Sequence, residues 1–374
     1  MQEPRKELIY VLPVCSGTQT GPPYPSLATQ GTAFPCARWR TDRLTCVTYA
    51  PHMTTLQSRI YLAGHTGLVG GAILRALRDA GYADILTRDI SALDLTDQRA
   101  TRRFFTEQEP DVVIVAAAKV GGILANSEQP WEFIYQNLQI EANVIGEAYM
   151  AGVRRLIFLG SSCIYPRAAP QPLREEYLLT GPLEETNRPY AIAKIAGLEM
   201  CRSLNREYDT DYLSLMPTNL YGPGDNFDLE TSHVLPALVR KFHEGKVAGH
   251  QPVRLWGTGA ALREFLFVDD VGRAVVFCLQ NVNAAAVPDG MVNVGCGEDL
   301  AIRDLAGMVQ RVVGHEGQIE WDPARPDGTP RKLMDVSRLR ALGWRPAVGL
   351  EQGLRITYDW YLSHGAQAST RRDQ

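Results

Sequence analysis

Tyr190 and Lys194 stand four residues apart in Pro189-Tyr-Ala-Ile-Ala-Lys194, the spacing that puts two side chains on one face of a helix. There the ammonium can lower the pKa of the phenol. Ser161 follows the apolar run Leu156–Leu159 and can hydrogen-bond a carbonyl beside that tyrosine. Such a trio protonates an alkoxide while a hydride reduces the carbon. Cys163 lies two residues further on, a thiol that simple ketone reduction does not require. A thiol of lowered pKa can take a proton from a carbon next to a carbonyl. His233, poised near neutral pH, is the candidate partner acid. In isolation a cysteine is more often a small buried hydrophobe, and a histidine an ordinary helix-start residue. Their place beside the trio reverses those odds.

These residues need strands that end at one edge and helices that start there. From Arg59 the chain alternates between the two. Apolar runs at Arg59–Ala63, Ala83–Thr87, Asp111–Ala116, Arg155–Leu159 and Tyr212–Met216 read as strands. Helical patterns fall at Ala72–Ala80, Thr101–Gln108, Ile134–Ala151 and Tyr190–Tyr208. Such alternation predicts an α/β fold, a doubly wound parallel sheet of the Rossmann type over residues 58–222. A segment around 264–296 is expected to return to this sheet. Residues 223–263 and 297–364 are expected to form a smaller C-terminal α/β lobe that binds substrate. Within them His233–Glu244 and Ala301–Val313 read as helices, and Arg254–Trp256, Glu264–Val268 and Ile319–Trp321 as strands. Residues 1–57 are rich in Pro, Gly, Thr and Ser without a sustained period and read as an extension, of which 1–52 are expected to have no catalytic role. Met53 lies just before the first strand. Residues 365–374 read as a polar, frayed tail.

Gly64-x-x-Gly67-x-x-Gly70 follows the first strand and opens a helix. Glycines there let the backbone turn tightly and approach a pyrophosphate, which the helix N-terminus attracts. A glycine triplet alone is a weak signal; its position between strand and helix strengthens it. It points to a dinucleotide, whose ribose hydroxyl Lys194 can hold. Arg88, after the second strand, favours NADP(H), because an arginine accommodates a 2′-phosphate. The adjacent Asp89 leaves NAD(H) open. Ala116–Gly122 offers small residues where backbone can lie against the cofactor.

Composition narrows the rest. With 374 residues, 45% hydrophobic and 21% charged, the chain can bury one large or two moderate cores. A net charge of −4 gives no argument for nucleic acid. No apolar run approaches the roughly 18 residues of a membrane span. The cysteines number seven, with no C-x-x-C pair, which argues for reduced thiols in a cytoplasmic protein and against a zinc site or other metal site.

With these motifs assembled, the stretch from Arg59 to about Leu362 resembles the GDP-L-fucose synthases, the GDP-4-keto-6-deoxy-D-mannose epimerase/reductases of the extended short-chain dehydrogenase family. The carriers are Ala117–Gly122, Phe133–Asn137, Leu159–Pro166, Pro189–Lys194, Met216–Pro223, Asp225–Phe227, Ser232–Val234, Arg263–Phe265 and Pro326–Lys332. The resemblance implies Cys163 as base and His233 as acid, inverting C3 and C5 through enolates. It implies that Tyr190, helped by Ser161 and Lys194, then protonates the C4 oxygen during reduction by NADPH. Leu159, Gly160, Ser161, Ser162, Pro217, Thr218, Asn219, Leu220 and His233 would border the cofactor, together with Thr66. Lys241, Trp256, Arg263, Asp327 and Lys332 would contact a GDP-sugar. A core aromatic is the competing reading of Trp256. Bacterial relatives often carry Arg at the places of Thr66 and Lys241. Thr66 weakens the preference for NADP, and Lys241 keeps the charge without the planar fork. The family also implies a homodimer through the helices Ile134–Ala151 and Tyr190–Tyr208.

Two classes of alternative stand beside this reading, a related nucleotide-sugar enzyme and a non-catalytic protein. A related 4,6-dehydratase would usually carry an acidic residue beside its catalytic hydroxyl, and none follows Ser161. An epimerase that does not reduce would return its cofactor unchanged. A non-catalytic dinucleotide sensor typically loses the Tyr or the Lys, and both are present.

Overall fold

The computed structural model describes residues 54–368 apart from 326–327. Most of the expected 1–57 extension, and the whole of the Asp327 assignment, lie outside these residues. Six parallel strands form the main sheet: β1 (Ile60–Ala63), β2 (Ile85–Leu86), β3 (Val112–Val115), β4 (Arg155–Leu159), β5 (Asp211–Pro217) and β6 (Met291–Val294). Their order is β2-β1-β3-β4-β5-β6, so the chain reverses direction of travel between β1 and β3. At such a switch point the carboxyl ends of the strands leave a crevice. The predicted parallel α/β sheet is therefore present.

Each strand face finds its own helices, because alternate residues point to opposite sides. Ile60 and Leu62 join a core with Ile73 and Leu77 of α1 (Leu68–Asp79). Tyr61 and Ala63 point the other way, toward Phe104 and Phe105 of α2 (Gln98–Gln108). That second core also holds Val144 and Ile145 of α3 (Pro130–Met150) and Leu198 of α4 (Arg188–Tyr208). Helix starts follow local chemistry. Asp97 accepts from the Arg99 and Ala100 amides at 2.8 and 3.1 Å, and Pro130 and Pro189 sit in first turns, where no amide hydrogen is needed. These caps move the observed starts a few residues ahead of the apolar periodicity.

A third core lies in the remaining lobe. It joins Leu238 and Phe242 of α5 (Val234–Val247) to Leu305 and Val309 further along, with Tyr221, Phe227 and Leu255 between. The segment read as one strand at Glu264–Val268 is shorter, Phe265–Phe267, and turns directly into α6 (Val268–Asn281). This helix packs beside α1 and feeds β6. Three further helices follow among the described residues: α7 (Ile302–Val313), the short Ser337–Ala341 and α8 (Leu350–Ala368). The last extends four residues into the stretch expected to fray. Among the described residues, no helix is long and apolar enough to cross a membrane.

Arg155 fastens the outer half of the sheet. It is 3% exposed, pairs with Asp211 at 2.7 Å, and donates to the carbonyls of Cys278 and Val282 at 2.8 and 2.6 Å. It thus links the starts of β4 and β5 to the end of α6. Removing one partner of a buried pair strands the other charge, which costs about 3–5 kcal/mol. Arg155→Met is expected to lower stability by that amount in urea unfolding. A loss below about 1 kcal/mol would show that the pair is dispensable.

Candidate active site

The glycine loop sits at the mouth of the crevice. Gly64 has φ +85°, and a Cβ there would lie 2.6 Å from the Ala117 nitrogen. A side chain on Gly70 would collide with the Gly64 carbonyl. The loop is therefore closed against the end of β3 by the absence of side chains. Gly67 caps α1 without a side-chain acceptor, so the first-turn amides face outward. The His65 Nδ1 is buried without a hydrogen-bond partner. Small residues, free amides and an orphaned polar atom fit a dinucleotide phosphate. Thr66 is exposed at the same loop.

Arg88 lies beyond the short β2, with its guanidinium 5.5 Å from the Phe104 ring centroid. It donates to the Thr87 carbonyl, and among the described residues no carboxylate pairs with it. The neighbouring Asp89 is turned to His65 Nε2 at 3.3 Å. The cation is thus left for an incoming anion, while the acid has its own partner.

Ser161, Cys163, Tyr190 and Lys194 converge at the ends of β4 and the start of α4. Lys194 is 2% exposed; its Nζ donates to the Leu159 carbonyl at 3.0 Å and pairs with Glu141 at 3.2 Å. Glu141 comes from α3 and is 1% exposed. Burial raises its carboxyl to about 7, against the pull of the Lys194 ammonium. The lysine lies 5.9 Å from the Tyr190 ring centroid. Burial pushes the Tyr190 phenol above its usual range, reinforced by the Cys163 sulfur and Glu141 and opposed by the Ser161 hydroxyl. The expected lowering of the phenol by Lys194 is therefore not what this arrangement produces. Glu141 answers the ammonium, and Tyr190 stands as a protonated donor.

Cys163 occupies the short 3-10 turn Ser162–Ile164, whose start is capped by Ser161: its Oγ accepts from the Cys163 amide at 3.2 Å. The sulfur is half-buried and accepts from Asn187 Nδ2 at 3.3 Å and from Lys332 Nζ at 3.6 Å. His233 caps the start of α5. It keeps solvent-accessible surface, yet the protein around it and the Lys332 charge lower its pKa from the ordinary value. The β3 loop braces it: the Gly122 amide donates to the Thr231 carbonyl at 3.0 Å, and a Cβ on Gly122 would lie 2.8 Å from the Ser232 carbonyl oxygen.

The other assigned residues belong to elements from the end of β4 onward. Gly160 bonds the β5 edge through its amide, 2.9 Å from the Leu215 carbonyl. Pro217 ends β5, and the Thr218 amide donates to Val294 of β6 at 3.0 Å. Asn219 and Leu220 belong to a short strand paired with Phe265–Phe267, and Asn219 Nδ2 donates to the Glu264 carbonyl at 2.8 Å. Trp256 is 58% exposed, so the core reading of this aromatic is corrected. Lys241 Nζ lies 5.9 Å and the Arg325 guanidinium 5.0 Å from its ring centroid. An exposed indole with two cations suits a base and its phosphates. Arg263 and Lys332 lie on adjacent paired strands. Lys332 is turned to the thiol rather than to the indole. Among the described residues, no three His, Cys, Asp or Glu side chains cluster to hold a metal.

Glu141, Asn187 and Arg325 carry no sequence assignment, and Gly122 carries one only as part of the Ala116–Gly122 backbone stretch. Glu141 carried one signal, a carboxylate in the middle of a largely apolar helix. Asn187 carried another, a capping residue type just before Arg188.

Residues 60–295 match the NAD dependent epimerase/dehydratase family. GDP-L-fucose synthase 1 of Arabidopsis thaliana is 53% identical over 312 residues, covering 83% of this chain and 95% of that protein. GDP-L-fucose synthase of Escherichia coli (strain K12) is 49% identical over 313 residues, covering 82% of this chain and 98% of its own length. Among solved structures, a GDP-L-fucose synthetase from Naegleria fowleri bound to NADP superposes with a TM-score of 0.76 at 25% identity, covering 85% of this chain and 98% of that one. A GDP-mannoheptose C4 reductase from Campylobacter jejuni with NADP bound is 36% identical with the same TM-score, covering 83% and 99%.

The buried Lys194–Glu141 pair has a pH signature. A carboxyl held at about 7 in the fold, above its unfolded range, loses stability as pH rises through that value. Without the ammonium the carboxyl rises further, and the loss extends to higher pH. Lys194→Met is therefore expected to melt progressively lower than the parent from pH about 7 to about 9. Adding Glu141→Gln should flatten that difference. A gap that is constant with pH in the single variant would show that the two groups are not coupled.

Proposed function

This chain belongs to the NAD dependent epimerase/dehydratase family and, within it, to the GDP-L-fucose synthases, and we propose that it converts GDP-4-keto-6-deoxy-D-mannose to GDP-L-fucose by 3,5-epimerisation and reduction at C4. The observation that carries this reading is the placement of a thiol beside the Ser161–Tyr190–Lys194 set, with a histidine braced nearby. One ketone then serves both halves of the reaction. It acidifies the protons on C3 and C5, and it is itself the group reduced.

Cys163 takes the carbon-bound proton, and His233 returns one from the opposite face. Tyr190 and Ser161 hold the enolate oxygen, so negative charge develops beside a donor. Tyr190 then gives its proton to the C4 oxygen, which a phenol held protonated can do. When bound, the nicotinamide supplies the hydride. Lys194 anchors the edge of that site at the Leu159 carbonyl, and Glu141 fixes the lysine. Gly64, Gly67 and Gly70 would hold the pyrophosphate. Arg88 would hold a 2′-phosphate, which favours NADPH, and the NADP-bound relatives support that choice. Lys241, Trp256, Arg325 and Arg263 would take the GDP end.

The protein works as a homodimer in the cytoplasm in this reading. The exposed Trp131 and Tyr135 of α3 and Ile192 of α4 support pairing of those helices with a second copy.

Substrate incubated with the enzyme in D₂O should acquire label at C3 and C5 and consume one NADPH per product. Cys163→Ser should block the label while cofactor binding persists. Tyr190→Phe should slow exchange, because Ser161 alone then holds the enolate oxygen, and should slow reduction by about 10²–10⁴. Reduction without any label would make the protein a C4 reductase alone. Arg88→Ala should lower kcat/KM for NADPH about tenfold or more and leave NADH nearly unchanged; equal losses with both cofactors would remove Arg88 from the 2′ position.

A further inference from the structure

A sulfur that accepts hydrogen bonds from two donors, one of them an ammonium, is placed as a thiolate is placed. Cys163 has this surrounding: Asn187 Nδ2 at 3.3 Å and Lys332 Nζ at 3.6 Å. Neither donor is explained by the fold. Asn187 is the residue before α4, where an asparagine ordinarily caps the helix. It makes no side-chain cap, and its Oδ1 is buried without a partner. Its amide is turned to the sulfur instead, at the expense of the helix start.

Lys332 is the second anomaly. Cations around it are matched: Arg331 pairs with Asp299 at 2.6 Å, and Arg167 with Glu184 at 3.3 Å. Among the described residues, no carboxylate pairs with Lys332, and the thiol is its hydrogen-bond partner. The side chains of Cys163, Asn187 and Lys332 line one cavity. The strand Arg331–Lys332 that carries the lysine is held by pairing to Leu262–Arg263.

We propose that Lys332 and Asn187 are positioning residues that hold the Cys163 sulfur in its thiolate form, ready to take a carbon-bound proton. The proposal rests on the assignment of Cys163 as the epimerase base. It gives Lys332 a task apart from any contact with the nucleotide. The step balances simply. The C–H bond breaks toward sulfur, an S–H bond forms, and the electron pair moves to the ketone oxygen beside Tyr190. An imidazolium N–H of His233 then protonates carbon from the other face. The cycle leaves thiol and neutral imidazole, and one proton passes through solvent to reset them. The charged and titratable groups facing this thiol are Lys332, Tyr190 from α4, and Tyr165, Arg167, Glu184 and Arg331 of the cavity wall, with Arg167 paired to Glu184 and Arg331 to Asp299. His233 lies within the field of the same ammonium, which disfavours its imidazolium. One cation therefore biases both members of the pair toward deprotonation.

The test is the rate of iodoacetamide alkylation of the Cys163 peptide, followed by mass spectrometry in the full-length protein across pH. Lys332→Met is expected to react about tenfold more slowly at pH 7 and at the parental rate in strong alkali, where every thiol is ionised. Lys332→Arg should restore most of the neutral rate, and Asn187→Ala should give a smaller loss. Both limbs of the pH profile for deuterium exchange should move to higher pH in Lys332→Met, because both groups lose the same cation. A lysine that served only the nucleotide or the fold would raise KM or lower stability without moving both limbs. Unchanged alkylation in Lys332→Met that still binds NADPH overturns the proposal. Continued label uptake in Cys163→Ser instead overturns the underlying assignment of the base.

Discussion

A buried ammonium must be answered, and the answer here is Glu141. Lys194 lies almost wholly out of water, between the Leu159 carbonyl and a carboxylate from the neighbouring helix. That pair sets the rotation of α4 against α3 and β4. Tyr190, one turn earlier on the same face, is placed by the same rotation. Gly197 belongs to the device: a Cβ there would lie 2.8 Å from Glu141 Oε2 and 2.5 Å from the Phe158 ring. The helix approaches closely because that position carries no side chain. Catalytic geometry thus hangs on a contact that itself touches no substrate. Breaking such a pair is costly, because the charge left behind has no water to turn to.

Local chemistry was legible in the sequence and distant convergence was not. Strands β1, β3 and β4 announce themselves as short apolar runs, and the glycine loop announces the turn after β1. Tyr190 and Lys194 are read together because helical spacing makes them neighbours. α6 escaped notice because Val268, Val271, Gly272, Ala274, Val275, Cys278 and Leu279 are all buried, which removes the polar face that reveals a helix. It also begins directly from a strand, with no capping side chain to mark its start. Asn187 and Lys332 are separated by a long stretch of chain and meet only at the sulfur. No period or spacing reports a contact of that kind.

The direction of the tyrosine's shift shows the same limit. A lysine on the same helix face suggests an acidified phenol. Whether it acidifies depends on what else reaches the ammonium, and Glu141 is contributed by another helix. Tyr190 as a protonated donor suits a step in which it must give up a proton to oxygen. The thiol has the complementary surroundings, facing donors and a cation.

The path of the chain bears on how the molecule can come apart. It leaves the main sheet after β5, builds α5 of the lobe, returns through α6 to lay down β6, and leaves again for α7 and α8. Neither the sheet nor the lobe is one continuous piece of sequence. No single cut releases either with its core whole. The two walls of the cleft are threaded through one another, and they stand or melt as one cooperative body.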